Sequence, residues 1–405
     1  MPTLPILEPI FDTLDSLEQN LAPVPVYVID SDFAISREFL LAYRGSLDTF
    51  NSYRREVERF LHWVYLVSQT HLKEIGREDI ESFIRFCQSP PKTWIATKML
   101  PKFIDQEGLK QPNRAWRPFV VKVSKEARQN GKEPDVKDYR LSEQGVRAIL
   151  RILSTFFTFL EMEDFVASNP VKRVRQKSRL IRTQAVQEPV RRLSELQWDY
   201  VLETAETMAK ENSLHERTLF IMSALYGMYL RISELVDTPL WSPMMKHFYQ
   251  DHDGNWWFKT VSKGNKERDI TVSSDMLLAL QRYRRAMDLT ALPSRSDGLP
   301  LITKQKGKGG IGSTRQIRDI VQACFDQTVS RLKAHGMDSD AEAMQSATVH
   351  WLRHTGISDD VKKRPKEHVR DDAGHSSSAI TDRYIDIEKR ERHASAKKKK
   401  LRPIA

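Results

Sequence analysis

The chain has 405 residues, with 64 Lys and Arg against 54 Asp and Glu, a formal charge of +10. That length supports two or three domains with proper cores, and the basic balance favours an anionic partner, nucleic acid first. Nowhere do about 18 apolar residues run together, which excludes an expected membrane helix. The opening "MPTLPILEPIFDTLDSLEQN" lacks the positive start and long apolar run of a secretory signal. Cys87 and Cys324 lie far apart and form no metal-ligand spacing, a usage that suits a reducing cytoplasm.

Residues 1–30 read as an N-terminal extension, followed by a helical domain over 31–170. In "SLDTFNSYRREVERFLHWVYLVSQ" the residues Tyr53, Val57, Phe60, Leu61 and Val64 fall at helical spacing, with Arg54, Arg55, Glu58 and Arg59 opposite. A second helix, "EDIESFIRFCQ", stops at Pro90–Pro91. A third, "LSEQGVRAILRILSTFFTFLEME", carries an unbroken stripe of Val146, Ile149, Leu150, Leu153, Phe156, Phe157 and Leu160, with Ser142 as N-cap. Between the second and third, at about 92–138, lies an elaboration rich in Trp, Pro and Lys with no assigned structure. Its Trp116 and Phe119 read as packing residues rather than base-stacking ones.

Residues 171–192 read as a basic linker of little apolar periodicity. A second domain spans 193–388. It opens on "LSELQWDYVLETAETMAKE", where Ser194 and Gln197 have capping-box spacing. Helices dominate it except in "FYQDHDGNWWFKTVSKGNKERDITVS". There a turn at Asp253–Gly254, a strand "NWWFKTV", a turn at Lys263–Gly264–Asn265 and a strand "RDITVS" predict a hairpin. The glycine-rich "TKQKGKGGIGSTRQ" is no nucleotide loop, because a Walker motif needs Lys before the Ser or Thr, and Gly312 is followed by Ser313. Residues 389–405 form a basic tail.

Four segments of the second domain hold polar residues that core packing does not require: "LRISEL" with Arg231 and Glu234, "SKGNKER" with Lys263, "HWLRHT" with His350 and Arg353, and "GHSSSAITDRYID" with His375 and Tyr384. Each has a plain structural reading. Arg231 and Glu234 make a local ion pair, Lys263 is solvated, His350 and Arg353 share a helix face, His375 caps a helix and Tyr384 sits at a rim. Their joint order resembles the tyrosine recombinases, the phage-integrase family that includes the Xer-type resolvases. That family's signature runs Arg, Lys in a β-turn, His-x-x-Arg, Gly-His and Tyr, and this chain has a residue for every position, including the nine-residue step from His375 to Tyr384.

The resemblance implies a mainly α protein with a small β-hairpin, built as a helical core-binding domain plus a mixed α/β catalytic domain. It also implies site-specific cutting and rejoining of double-stranded DNA through a 3′-phosphotyrosine and a Holliday junction. Arg231 and Arg353 would bind the phosphate oxygens with forked donors. A tyrosine with a reference pKa of about 10 gains from a neighbouring base. The resemblance makes Tyr384 the nucleophile, His350 the base, Lys263 the acid for the leaving 5′-oxygen and His375 a phosphate donor, with Glu234 supporting. The retained phosphotyrosyl bond energy means that no ATP, metal or other cofactor is expected. A homotetramer on DNA is implied, with an accessory DNA-bending or directionality factor left open, no membrane partner, and a cytoplasmic, nucleoid-associated location. The rival readings are a type IB topoisomerase, which shares the catalytic set, and a catalytically silent DNA-binding protein. An RNA-binding module lacks its aromatic sheet motif.

Overall fold

The computed structural model describes residues 7–129, 131–177, 191–262, 266–382, 384 and 396–397. The chain divides into two compact units, Met1–Val186 and Gln187–Ala405.

The first unit contains helices α1 (Leu14–Gln19), α2 (Asp30–Leu41), α3 (Leu47–Trp63) and α4 (Arg77–Gln88). Four short strands follow: β1 (Ile95–Ala96), β2 (Phe103–Gln106), β3 (Leu109–Pro112) and β4 (Phe119–Val120). Helices α5 (Lys125–Gln129), α6 (Glu143–Met162) and α7 (Pro170–Lys177) complete it. The stripe foreseen on α6 is buried along its whole length, and Ser142 Oγ accepts the Gly145 N–H at 3.1 Å to cap the helix. On α3, Val57, Phe60, Leu61 and Val64 are buried and Tyr53 is partly so. Phe60 meets Phe83 of α4 and Phe157 of α6 edge-on, with centroids 5.0 and 5.7 Å apart, the arrangement that ring quadrupoles favour. In the elaboration, β1 pairs parallel with β4 and β2 with β3 as a hairpin. Trp116 and Phe119 are buried there, as packing residues should be.

Two stretches differ from the expectation. Residues before 31 are not an appendage, since Leu7, Ile10, Phe11, Leu17 and Val28 lie in the same core as the helices. Glu58 of α3, 1% exposed, accepts the N–H of Ile10 at 2.8 Å and of Phe11 at 3.1 Å and pairs with Lys102. A buried carboxylate requires such donors, so it fastens an irregular segment that has no periodic signal. Residues 171–177, read as the start of the linker, belong to α7. Val171 and Val174 are fully buried, and the Asn169 side chain accepts the Val171 N–H at 3.0 Å while donating to the Ser154 carbonyl at 2.8 Å. Two valines three apart are too few to raise a helical period above the surrounding Lys and Arg. Residues 178–190 of that linker lie outside the described residues.

The second unit contains α8 (Glu195–Glu211), α9 (Glu216–Gly227), strands β5 (Phe248–Gln250), β6 (Trp256–Ser262) and β7 (Lys266–Thr271), then α10 (Ser274–Arg285), α11 (Thr314–Ala334), α12 (Asp338–Gln345), α13 (Val349–Asp360), α14 (Lys366–Ala373) and α15 (Ser378–Asp382). The capping box forms, with Ser194 and Gln197 exchanging bonds of 3.2 and 3.0 Å. The predicted hairpin is the β6–β7 pair of an antiparallel three-stranded sheet. Its third strand, β5, is three residues long and too short to show alternation. Phe248, Phe258 and Ile270, in register across the sheet, are all buried. The architecture is mainly α with small sheets, as expected. No helix among the described residues is long and apolar enough to cross a membrane.

Helices α9 and α13 pack at close range because Gly356 has no side chain, and a Cβ there would lie 2.1 Å from the Tyr226 carbonyl oxygen. Gly356→Ala is therefore expected to destabilise the unit by about 1–3 kcal/mol through overpacking. Gly45→Ala, where a Cβ meets nothing within 4 Å, should leave the urea midpoint close to wild type. Equal midpoints for the two variants would refute the close-packing account.

Candidate active site

Helix α9 ends at Gly227, and Tyr229 takes a left-handed conformation (φ 49°) before Arg231 opens a 3-10 turn over Ile232–Leu235. Glu234 reaches back to accept the Arg231 N–H at 2.9 Å and its Nη1 at 3.1 Å. The plain reading of Arg231 with Glu234 as a local ion pair is thus realised. It does not exhaust either residue. Arg231 also donates from Nη2 to the Gly374 carbonyl at 3.3 Å, and its side chain stays 29% exposed.

The sheet contributes from the other side. Arg268 of β7 grips Glu234 with both terminal nitrogens, Nη1 to Oε1 at 2.8 Å and Nη2 to Oε2 at 2.9 Å. Ser262 at the end of β6 donates to Glu234 Oε1 at 3.2 Å. Burial pushes the Glu234 carboxyl up, but the hydrogen-bonded Arg268 guanidinium and then Arg231 hold it below the usual carboxylate range. Lys263 falls in the turn between β6 and β7, outside the described residues.

On α13, His350 and Arg353 are three residues apart on one face. Arg353, 2% exposed, donates to the Tyr229 carbonyl and, at 2.6 Å, to that of Ala373. Gly374 ends α14 in the left-handed region (φ 63°), a conformation that glycine adopts without cost. The chain then bends through Ser376 and Ser377 into α15. His375 Nδ1 lies 2.9 Å from Thr381 Oγ1, and the Tyr384 N–H returns to the Thr381 carbonyl at 2.9 Å. Tyr384 is only 7% exposed and packs in a small cluster with Tyr229, Ile357, Val369 and Ala373. Its ring stacks on His375 at 5.6 Å and lies 5.2 Å from His354, whose ring meets His350 edge-on at 4.2 Å.

Arg231, His350, Arg353, His375 and Tyr384 line one cavity of about 550 Å³ together with Ser262, Lys266, Arg268 and the chain around Gly374. Glu234 sits behind the arginines. Burial, then the charge of Arg231, lowers the Arg353 guanidinium to about 9, which Glu234 partly offsets. Burial, followed by the arginines, lowers His375 to about 4. His354 falls to about 3 through burial and its neighbours His350, Arg353 and His375. His350 is lowered by the same desolvation and by Arg353 and Arg231. The imidazoles are neutral at pH 7, and the fixed positive charge is in excess. Such a cavity offers planar, forked donors suited to an anion.

The overall fold is similar to that of solved structures. The XerH site-specific recombinase bound to difH substrate, in a pre-cleavage complex, is 15% identical with a TM-score of 0.50, over 96% of this chain and 98% of that chain. Its post-cleavage complex on palindromic difH gives 14% and 0.52, over 96% and 99%. The Tn1549 transposon integrase with a circular intermediate DNA gives 14% and 0.50, over 90% and 98%. The chain has the tyrosine recombinase fold. No protein-family model matches the sequence, and no curated protein matches it either. At 14–15% identity the likeness is one of fold, so function rests on the site itself.

Within this recombinase fold, the sequence reading missed Arg268, Ser262 and Lys266 on the hairpin and His354 on α13. Arg268 and Lys266 stood in the quoted "SKGNKER", but in a basic turn nothing separates a solvated cation from one folded inward. The residue after Arg353 had a usable signal, since His354 follows His350 by four positions and must share its face.

The lowered imidazoles carry a sign for stability. The unfolded chain binds these protons near the reference value of about 6.5, more tightly than the folded chain binds them at His354, His375 and the buried His62 of the first unit, itself held at about 4. Stability is complete above about pH 6.5 and is lost as pH falls towards 4. Denaturant midpoints should drop over that window, with His354→Phe flattening the decline; a midpoint constant across it would sink the assignment of neutral histidines.

Proposed function

We propose that this chain is a site-specific DNA recombinase of the tyrosine type. The observation that carries the reading is the convergence of Arg231, His350, Arg353, His375 and Tyr384, from separate stretches of sequence, on one positively charged cavity. In this reading the non-bridging oxygens of a scissile phosphodiester lie on Arg231 and Arg353. The Tyr384 oxygen attacks phosphorus in line, and the bond to the 5′-oxygen breaks. His350 takes the phenol proton and Lys263 supplies one to the leaving oxygen, giving a 3′-phosphotyrosine and a free 5′-hydroxyl.

His375 hydrogen-bonds the phosphate, and Glu234 orients the arginines. The negative charge of the pentacovalent state meets donors that are already in place, each worth about 10²–10³ in rate. Because the phosphotyrosyl linkage conserves the energy of the broken bond, attack by a 5′-hydroxyl reverses the step without ATP. Four protomers on two sites would exchange one strand pair, pass through a Holliday junction and exchange the other. The helical first unit binds the flanking duplex, and its affinity rests on phosphate contacts.

Trapping tests the chemistry. Wild-type protein mixed with nicked duplexes from the DNA flanking its gene should yield a denaturation-resistant adduct at a 3′-phosphate. Tyr384→Phe should yield none, and Arg231→Ala should form it about 10²–10³-fold more slowly. Tight binding without any adduct would move the reading to a silent DNA-binding protein. Binding should also weaken steeply between about 50 and 200 mM salt as counterions are released; a flat response would count against multiple phosphate contacts.

A further inference from the structure

We infer that Arg268 is a positioning residue of this site, acting on the phosphate through Glu234 and Arg231 rather than by touching it. The inference rests on the recombinase reading above. Arg268 lies on β7 opposite Thr260, within the hairpin pairing and two residues in from its turn end, and its side chain is 9% exposed although it borders the reaction cavity. A guanidinium has five N–H donors. Here Nε goes to the Asp372 carbonyl at 3.0 Å, Nη1 to Glu234 Oε1 at 2.8 Å and to Ser262 Oγ, and Nη2 to Glu234 Oε2 at 2.9 Å. All three nitrogens are engaged by protein, so no fork is left to present to a phosphate.

Removing Arg268 alters two things at once. Glu234, 1% exposed, loses its bidentate partner, and a buried carboxylate without enough donors either takes up a proton or turns away. Either response loosens both bonds that Glu234 makes to Arg231, at the backbone N–H and at Nη1. The second effect is at α14. Arg268 takes the Asp372 carbonyl, while the next two carbonyls, of Ala373 and Gly374, receive Arg353 and Arg231. Arg268 therefore ties the hairpin to the same helix end that orients both phosphate-facing arginines. The fit is close, since a Cβ on Gly374 would lie 3.0 Å from Arg268 Cδ.

The test is single-turnover adduct formation on a nicked duplex, with duplex affinity and thermal melting measured in parallel. Arg268→Met and Arg268→Lys should each slow cleavage about 10²-fold, the scale of an ångström-size misplacement, with Kd within about threefold of wild type. Glu234→Met combined with Arg268→Met replaces the buried ion pair with apolar groups. It should recover the melting temperature lost in Arg268→Met while cleaving no faster than either single variant. A purely structural role would instead restore cleavage along with stability in the double variant, and that outcome overturns the proposal. So would a cleavage rate for Arg268→Met within about threefold of wild type, or losses that multiply across the two sites. Absence of any adduct from wild type would overturn the recombinase reading itself, and this inference with it.

Discussion

The end of one short helix gathers the charges on which this site depends. The successive carbonyls of Asp372, Ala373 and Gly374, where α14 stops, accept bonds from Arg268, Arg353 and Arg231. The last carbonyls of a helix have no intrahelical partner and carry about half a negative charge between them. Three guanidinium groups held together would otherwise repel one another, and one buried carboxylate, Glu234, offsets only part of their charge. The helix end adds further attraction. Gly374 makes this geometry available, because its left-handed backbone stops the helix where the carbonyls are still free.

A second layer holds that helix end in place. Arg364 donates to Asp372 at 2.6 Å, to Thr271 Oγ1 at 3.1 Å, to Asp360 at 3.2 Å and to the Tyr229 hydroxyl at 3.0 Å. One planar side chain thereby links α13, α14, β7 and the turn that delivers Arg231. Tyr229 adopts the left-handed conformation that non-glycine residues generally avoid. Its ring is buried and its hydroxyl is bonded to Asp360, so packing and hydrogen bonds maintain a backbone shape that its own sterics disfavour. Its carbonyl goes to Arg353. The strained residue and Arg353 therefore constrain each other.

The consequence is a cavity with excess fixed positive charge and uncharged imidazoles. Burial first, and then the charges of Arg353 and Arg231, keep His350 and His375 deprotonated, which is the state a proton acceptor needs. Tyr384, packed between His354 and His375, is presented to that field with little access to water. In the proposed reaction, an incoming phosphodiester would supply the charge that the arrangement lacks, so that binding and preparation for chemistry would be one electrostatic event.

Much of this was legible beforehand. The stripes of α3 and α6, the capping box at Ser194 and the β6–β7 hairpin follow from periodicity and turn chemistry, which are local. The set Arg231, Lys263, His350, Arg353, His375 and Tyr384 stood out only through its resemblance to the tyrosine recombinase signature, and the fold brings all of these but Lys263, which lies outside the described residues, to one cavity. Tertiary structure alone decided the rest. That Glu58 would fasten Ile10 and Phe11, or that Val171 and Val174 would draw the supposed linker into a core, depends on partners tens of residues away. Arg268 is the clearest case. In the sequence it is one cation among several in a basic turn, and only the fold brings Glu234 and the Asp372 carbonyl within hydrogen-bonding distance of it. Sequence by itself determines which groups are available and how each segment is shaped. The fold determines which of those groups are desolvated together, and desolvation is what turns a charged side chain into a positioned one.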